Sequence, residues 1–244
     1  MNSIYKKYEF NEAKHLHLLD GKPLTGCTTI LGVLAKPVLI PWAAKMTAEF
    51  LKDKLDGIKK LDQINWELLL EEAKKAHVKR KTDAGNYGTK THEEVERYIT
   101  NRMLTDKKAK DTTEYEKSIS KFIDWAVKNK VKFLETEKNI YSEEKFIGGI
   151  VDFVCEIDGQ VWIGDIKTSG SGIYSEHMFQ CAGYQIMLND MGLYLNITGY
   201  LILNLKENGE FLEKRSISNE ENKKIFLNCL EIYRVQEKLK SNIN

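Results

Sequence analysis

Residues 147–169 read IGGIVDFVCEIDGQVWIGDIKTS, two apolar runs joined at Asp158-Gly159, with Asp152 in the first and Asp165 and Lys167 in the second. Alternation along short apolar runs predicts strands, and Asp-Gly between them predicts a hairpin. Side chains alternate faces along a strand, so Asp165 and Lys167 point the same way. Pairing about the turn sets Asp152 opposite Asp165. Three charged groups therefore converge in a hairpin that otherwise favours a dry core, and the fold must satisfy them.

Two explanations compete on the residues alone. A cross-strand salt bridge at the hairpin's open end accounts for Asp165 and Lys167, but not for the second acid. Two close carboxylates repel unless a cation or proton joins them. A divalent metal resolves that conflict, and oxygen-rich sites suit Mg2+ or Mn2+, which leave positions for water and a substrate phosphate. Acidic-x-Lys triplets such as Glu12-Ala13-Lys14, Glu72-Ala73-Lys74 and Glu143-Glu144-Lys145 lie in polar surroundings, where solvation explains them. Asp165-Ile166-Lys167 instead ends an apolar strand beside another acid. The chemistry expected there is hydrolysis of a phosphate ester, with Lys167 orienting the nucleophile or neutralising the transition state.

A chain of 244 residues that is 42% hydrophobic supports one large domain, or a core with an added lobe. Lys plus Arg (37) and Asp plus Glu (36) nearly cancel, so phosphate binding must be local. Cys27, Cys155, Cys181 and Cys229 form no CxxC pair, which argues against a zinc ribbon, a redox motif or a disulfide framework and for a reducing compartment. No apolar stretch approaches the roughly 20 residues that span a bilayer, and the N-terminus lacks a signal peptide's apolar centre. A soluble cytoplasmic protein with no membrane partner is the expectation.

Alternation through His17-Leu18-Leu19, an Asp20-Gly21 turn and Pro23 to Cys27 predict a short peripheral hairpin. From Thr28 to about Lys130 helical periodicity dominates, punctuated by Pro37 and Pro41, so residues 1–130 read as a hairpin and helical lobe. The period then changes: strands are expected over 131–141, 147–157, 160–168 and 195–205, with a helix over 175–191. A two-residue Asn208-Gly209 turn leads into a strand over 211–217. Phe226, Cys229, Leu230 and Tyr233 form one stripe of a closing helix. The expected organisation is a single domain over 1–244 with an α/β core at 131–244, and residues 105–117, TDKKAKDTTEYEK, as a flexible connection.

Gly149-x-x-Asp152, Asp165-Ile166-Lys167-Thr168-Ser169 and Gln180-Cys181-Ala182-Gly183-Tyr184 together resemble the PD-(D/E)XK nuclease superfamily, specifically its RecB-like exonuclease branch with its G-x-x-D, D-x-K-T and Q-x-x-x-Y series. The motif region spans about residues 88–185. A wider similarity, from Thr28-Thr29-Ile30-Leu31 and Lys36-Pro37 to Trp42, is to phage-encoded members and the mitochondrial genome maintenance exonuclease. The resemblance implies an α/β fold, a restriction-endonuclease-like mixed sheet flanked by helices with an N-terminal helical lobe. It implies metal-dependent hydrolysis of DNA from ends, on single-stranded or linear DNA in phage or bacterial DNA processing, beside a recombination or replication partner protein. Asp152, Asp165 and Lys167 would be catalytic; His92, in Gly88-Thr89-Lys90-Thr91-His92, would bind metal with Asp152 and Asp165, and Ile166 is counted among the metal positions. Thr168, Gln180 and Tyr184 would face the substrate. Glu137 matches an accessory acid, with Glu135 as a rival.

The residues leave alternatives beside these roles. His92 shares a buried helical face with Val95 and Ile99, or else sits in a first helical turn with Thr91 and Glu94 as a capping box. Gln180 and Tyr184 border the stripe of Phe179, Ala182, Gly183 and Ile186, where edge packing explains them. With Cys229 the one late cysteine, no iron–sulfur cluster of the one-early, three-late kind is expected. The absence of G-x-x-x-x-G-K-[ST] means that ATP-driven unwinding would need a partner. KKAHVKRK at 74–81 and Lys107, Lys108 and Lys110 are either solvated faces or phosphate contacts. Trp42, Trp66, Tyr87 and Tyr98 are packing residues or stack on unpaired bases. A structure-directed endonuclease and a non-catalytic DNA-binding module are the competing functions.

Overall fold

The computed structural model describes residues 7–14, 16–58, 60, 62, 64–104, 119–218 and 220–242. β1 (Tyr8–Asn11), β2 (Leu16–Leu19) and β3 (Lys22–Pro23) form a small antiparallel sheet in that order. Asp20 and Gly21 turn β2 into β3 at φ of 51° and 73°, a conformation that Gly adopts freely and Asp tolerates. The expected hairpin is present, with β1 as an additional strand along β2.

Four helices follow β4 (Thr25–Gly26): α1 (Cys27–Leu31), α2 (Leu39–Leu55), α3 (Trp66–Leu104) and α4 (Ser120–Lys128). Pro41 falls in the first turn of α2, where a missing N–H breaks no helical bond. The chain packs as two compact units, Met1–Leu34 with Thr91–Asn244, and Ala35–Lys90. The division therefore does not fall where the period changes near residue 130: α1, α4 and α3 from Thr91 onward belong with the sheet. Residues 105–117, with Lys107, Lys108 and Lys110, lie outside the described residues.

β5 (Lys132–Ser142), β6 (Ile147–Ile157), β7 (Gln160–Lys167), α5 (Ser175–Asp190), β8 (Ile197–Leu205), β9 (Phe211–Ile217) and α6 (Glu220–Ser241) complete the larger unit. The sheet has six strands in the order β4-β6-β7-β8-β9, with β5 on β6 as well. β4 with β6 and β7 with β8 are parallel, and the remaining pairs are antiparallel. One face is covered by α1, α5 and α6 through Ile30, Cys181, Met187 and Phe226. The other is covered by Val95, Tyr98 and Ile99 of α3 and Phe122 and Trp125 of α4. This is the mixed sheet flanked by helices of a restriction-endonuclease-like core. Burial on both faces explains why β8 is almost continuously apolar.

The expected two-residue turn between β8 and β9 is longer. The ladder closes at Leu205↔Phe211, and Asn208 uses its side chain to accept the Glu210 N–H at 3.0 Å, an Asx turn with Gly209 at φ 82°.

Candidate active site

Asp158 and Gly159, at φ 50° and 77°, form the turn that the Asp-Gly pair predicts. The β6–β7 ladder runs from Ile157↔Gln160 to Phe153↔Gly164, so the next step in register is Asp152 and Asp165. There the strands part. β4 pairs with β6 at Ile147 and Gly148, at the opposite end from β7, and the fork between them opens at Asp152. The Asp152 carboxylate takes over from the ladder: its Oδ2 accepts the Ile166 main-chain N–H at 2.6 Å.

Strand alternation also breaks at Asp152. Val151 packs in the core beneath α5, whereas Phe153 packs beneath α4, against Phe122 and Trp125. Opposite, the β5–β6 ladder steps from Thr136↔Phe153 to Lys138↔Val151, and the intervening Glu137 has φ 42°. A non-glycine residue in this conformation costs about 1–3 kcal/mol and persists where its surroundings impose it. The result is that Glu137, Asp152 and His92 each offer a ligand atom within 4.8 Å of the others. His92 Nδ1 lies 3.8 Å from Asp152 Oδ2 and 3.9 Å from Glu137 Oε1.

Asp165 and Lys167 share a face, as their spacing requires. The Lys167 Nζ lies 2.6 Å from both carboxylate oxygens, donating to Oδ1 and pairing with Oδ2. Asp165 is fully buried and stands outside the His92–Glu137–Asp152 group. The Ile166 side chain packs on the opposite face with Leu201 and Leu203, so only its main chain is available to the site. Thr168 is half-buried just beyond β7. Tyr184 is buried in α5, and Gln180 Nε2 donates to its hydroxyl. Its ring explains the glycine of Gly149-x-x-Asp152, because a Cβ at Gly149 would meet Tyr184 Cε1 and Met187 Cε at 3.2 Å.

The electrostatics follow from this crowding. Burial raises the Asp152 carboxyl above its usual range, against the opposing pull of His92 and Lys167. Burial, with Asp152 repulsion, likewise raises Asp165, although Lys167 opposes it. Burial disfavours the Lys167 ammonium, yet Asp165 and Asp152 outweigh it and raise its pKa. Burial also opposes charge on His92, but Asp152 and Glu137 push the imidazole up to about 9. In the absence of a metal the His92 proton offsets the repulsion between the two carboxylates, and two carboxylates with a neutral imidazole held this close are a donor set that fits a divalent cation.

Several alternatives are decided by position. Thr91 and His92 lie in the interior of α3, so Thr91 cannot cap a helix start. Glu135 is engaged by Lys138 at 3.0 Å and Tyr194 Oη at 2.9 Å, which leaves Glu137 as the acid at His92. Tyr98 is buried edge-on to Phe122 and Phe133 and is a packing residue. KKAHVKRK belongs to the separate 35–90 unit. All four cysteines are buried free thiols. Among the described residues, no helix is long and apolar enough to cross a membrane. Sequence reasoning passed over Asn204, whose single amide in the run ITGYLILNL was the available signal.

No protein-family model matches the chain, and no curated protein matches it. Among solved structures, the crystal structure of SSO0001 is similar over 82% of this chain and 87% of that one, at 12% identity and a TM-score of 0.39. LHK-Exo in complex with dAMP is similar over 81% and 91%, at 10% identity and a TM-score of 0.35. The alkaline exonuclease LHK-Exo from Laribacter hongkongensis is similar over 84% and 100%, at 11% identity and a TM-score of 0.30. Similarity at this level assigns neither a family nor an activity.

Proposed function

We propose that this chain is a metal-dependent deoxyribonuclease that hydrolyses phosphodiester bonds from DNA ends, on single-stranded or linear DNA. The observation that carries the reading is the gathering of His92, Glu137 and Asp152 at the fork where the Asp165–Lys167 pair ends the neighbouring strand. Neither a salt bridge nor core packing requires that many ionisable groups in one place. The motif series Gly149-x-x-Asp152, Asp165-Ile166-Lys167-Thr168 and Gln180 to Tyr184 supports DNA as the substrate and ends as the point of attack.

His92, Glu137 and Asp152 would hold Mg2+ or Mn2+, with Asp165 and the Ile166 main chain beside them. Such an ion, when bound, supplies a water of lowered pKa and neutralises charge on the phosphoryl oxygens. Lys167 stays protonated beside Asp165 and serves as the donor to the scissile phosphate. Asp152 fixes the end of β7 through the Ile166 N–H, which aligns the lysine with the metal donors. Tyr184, held by Gln180, walls the site above Gly149, and Thr168 contacts the DNA backbone.

The test uses end-labelled linear single- and double-stranded DNA and closed circular DNA in Mg2+, Mn2+ or EDTA. Metal-dependent loss of linear but not circular DNA, abolished by Asp165→Asn and Lys167→Ala, is the expected result. Cutting of the circle would make the protein an endonuclease. DNA binding without turnover in any metal would leave a binding module and end the catalytic reading.

A further inference from the structure

β8 reads ITGYLILNL, and every residue but Thr198 is buried. Asn204 is fully buried in this strand, where an apolar residue would avoid the cost of desolvating an amide. The parallel register sets Asn204 beside Lys167. Its Nδ2 donates to the Ser169 carbonyl at 2.9 Å, and its buried Oδ1 has no hydrogen-bond partner. One amide therefore ties down the chain just beyond Lys167 and Thr168. It also leaves a buried acceptor unsatisfied on the strand next to the lysine.

Lys167 is held by both oxygens of Asp165. An ammonium has three N–H donors, so Lys167 can stay on Asp165 and serve a phosphate, and the remaining donor then needs an acceptor in a buried setting. We propose that Asn204 is a positioning residue of the active site: Nδ2 fixes the course of residues 168–169, and Oδ1 accepts the remaining N–H of the Lys167 ammonium while Asp165 and the phosphate take the other two. This inference rests on the nuclease reading and deepens it. The segment it controls continues through Ser169 and Ser171, whose hydroxyls lie 2.7 Å apart, to Gly172 at φ 106° and into α5. A shift at Ser169 is thus passed to the chain that carries Thr168 and leads to Gln180.

The experiment compares wild type, Asn204→Leu and Asn204→Asp by thermal unfolding, Mn2+ calorimetry, hydrogen exchange without metal, and kcat and KM on end-labelled single-stranded DNA. Asn204→Leu is expected to fold, to bind Mn2+ within about threefold of wild type, and to lose kcat by roughly 10- to 100-fold with KM changed far less. Amides 168–174 should exchange faster in that variant. Asn204→Asp retains an acceptor but loses the donor, so its kcat loss should be smaller than that of Asn204→Leu. Wild-type kcat in both variants would overturn the proposal. So would a parallel fall in melting temperature, Mn2+ affinity and kcat, which marks a purely structural amide. An inactive wild type would remove the nuclease reading and this inference with it, whereas equally active wild type and variants remove this inference alone.

Discussion

Glu137 illustrates what single residues bear for the site. It holds φ 42°, and glycine would adopt that conformation without the steric cost. Glu137→Gly is therefore expected to raise the unfolding free energy in EDTA by about 1 kcal/mol, while lowering Mn2+ affinity. Glu137→Gln should lower affinity with no such gain, and chemical denaturation with calorimetry separates the two. His92 makes a second prediction. Its pKa is raised from 6.5 to about 9 in the metal-free protein, so its contribution to stability is complete below about pH 6.5 and is lost as pH rises through about 9. A metal requires the neutral ring and must displace that proton. Mn2+ affinity should accordingly climb across this interval, and His92→Asn should flatten the climb. An affinity that stays level in wild type would take His92 out of the donor set.

At the scale of elements, the site depends on β6 and β7 meeting without a gap below the fork. Gly164 makes this possible, because a Cβ there would fall 2.0 Å from Phe153 Cζ. Phe153 cannot yield easily, being packed among Phe122, Trp125 and Phe133. Gly164→Ala is expected to cost about 1–3 kcal/mol by overpacking, and Phe153→Leu in the same chain to recover part of it, as read from urea midpoints. An undiminished midpoint in the single variant would mean that the two strands separate more readily than this packing allows.

At the scale of the whole molecule, metal binding and folding are linked. An ion that binds the native state at a hundred times its Kd adds about 2.7 kcal/mol of stability. Mn2+ should raise the melting temperature of wild type, EDTA should reverse the rise, and Asp152→Asn should abolish it. In hydrogen exchange the gain should fall in the unit of residues 1–34 and 91–244, which holds all three donors. Residues 35–90 should keep their rates. Equal protection of both units would relocate the binding site.

The sequence by itself determined the hairpin and its charge pattern. Asp158-Gly159 dictates the turn, the turn dictates the register, and period-two alternation puts Asp165 and Lys167 on one face; all three are local consequences of backbone geometry. The strands at 147–157 and 211–217 were legible for the same reason. Local pattern does not encode distance between segments, so it could neither separate Glu137 from Glu135 nor place Asn204 beside Lys167. Those outcomes belong to the tertiary structure. An interior turn of α3 brings His92 to Asp152, the parallel pairing of β7 with β8 brings residues 167 and 204 together, and the break in alternation at Asp152 lies directly opposite the departure of β5 from regular geometry at Glu137.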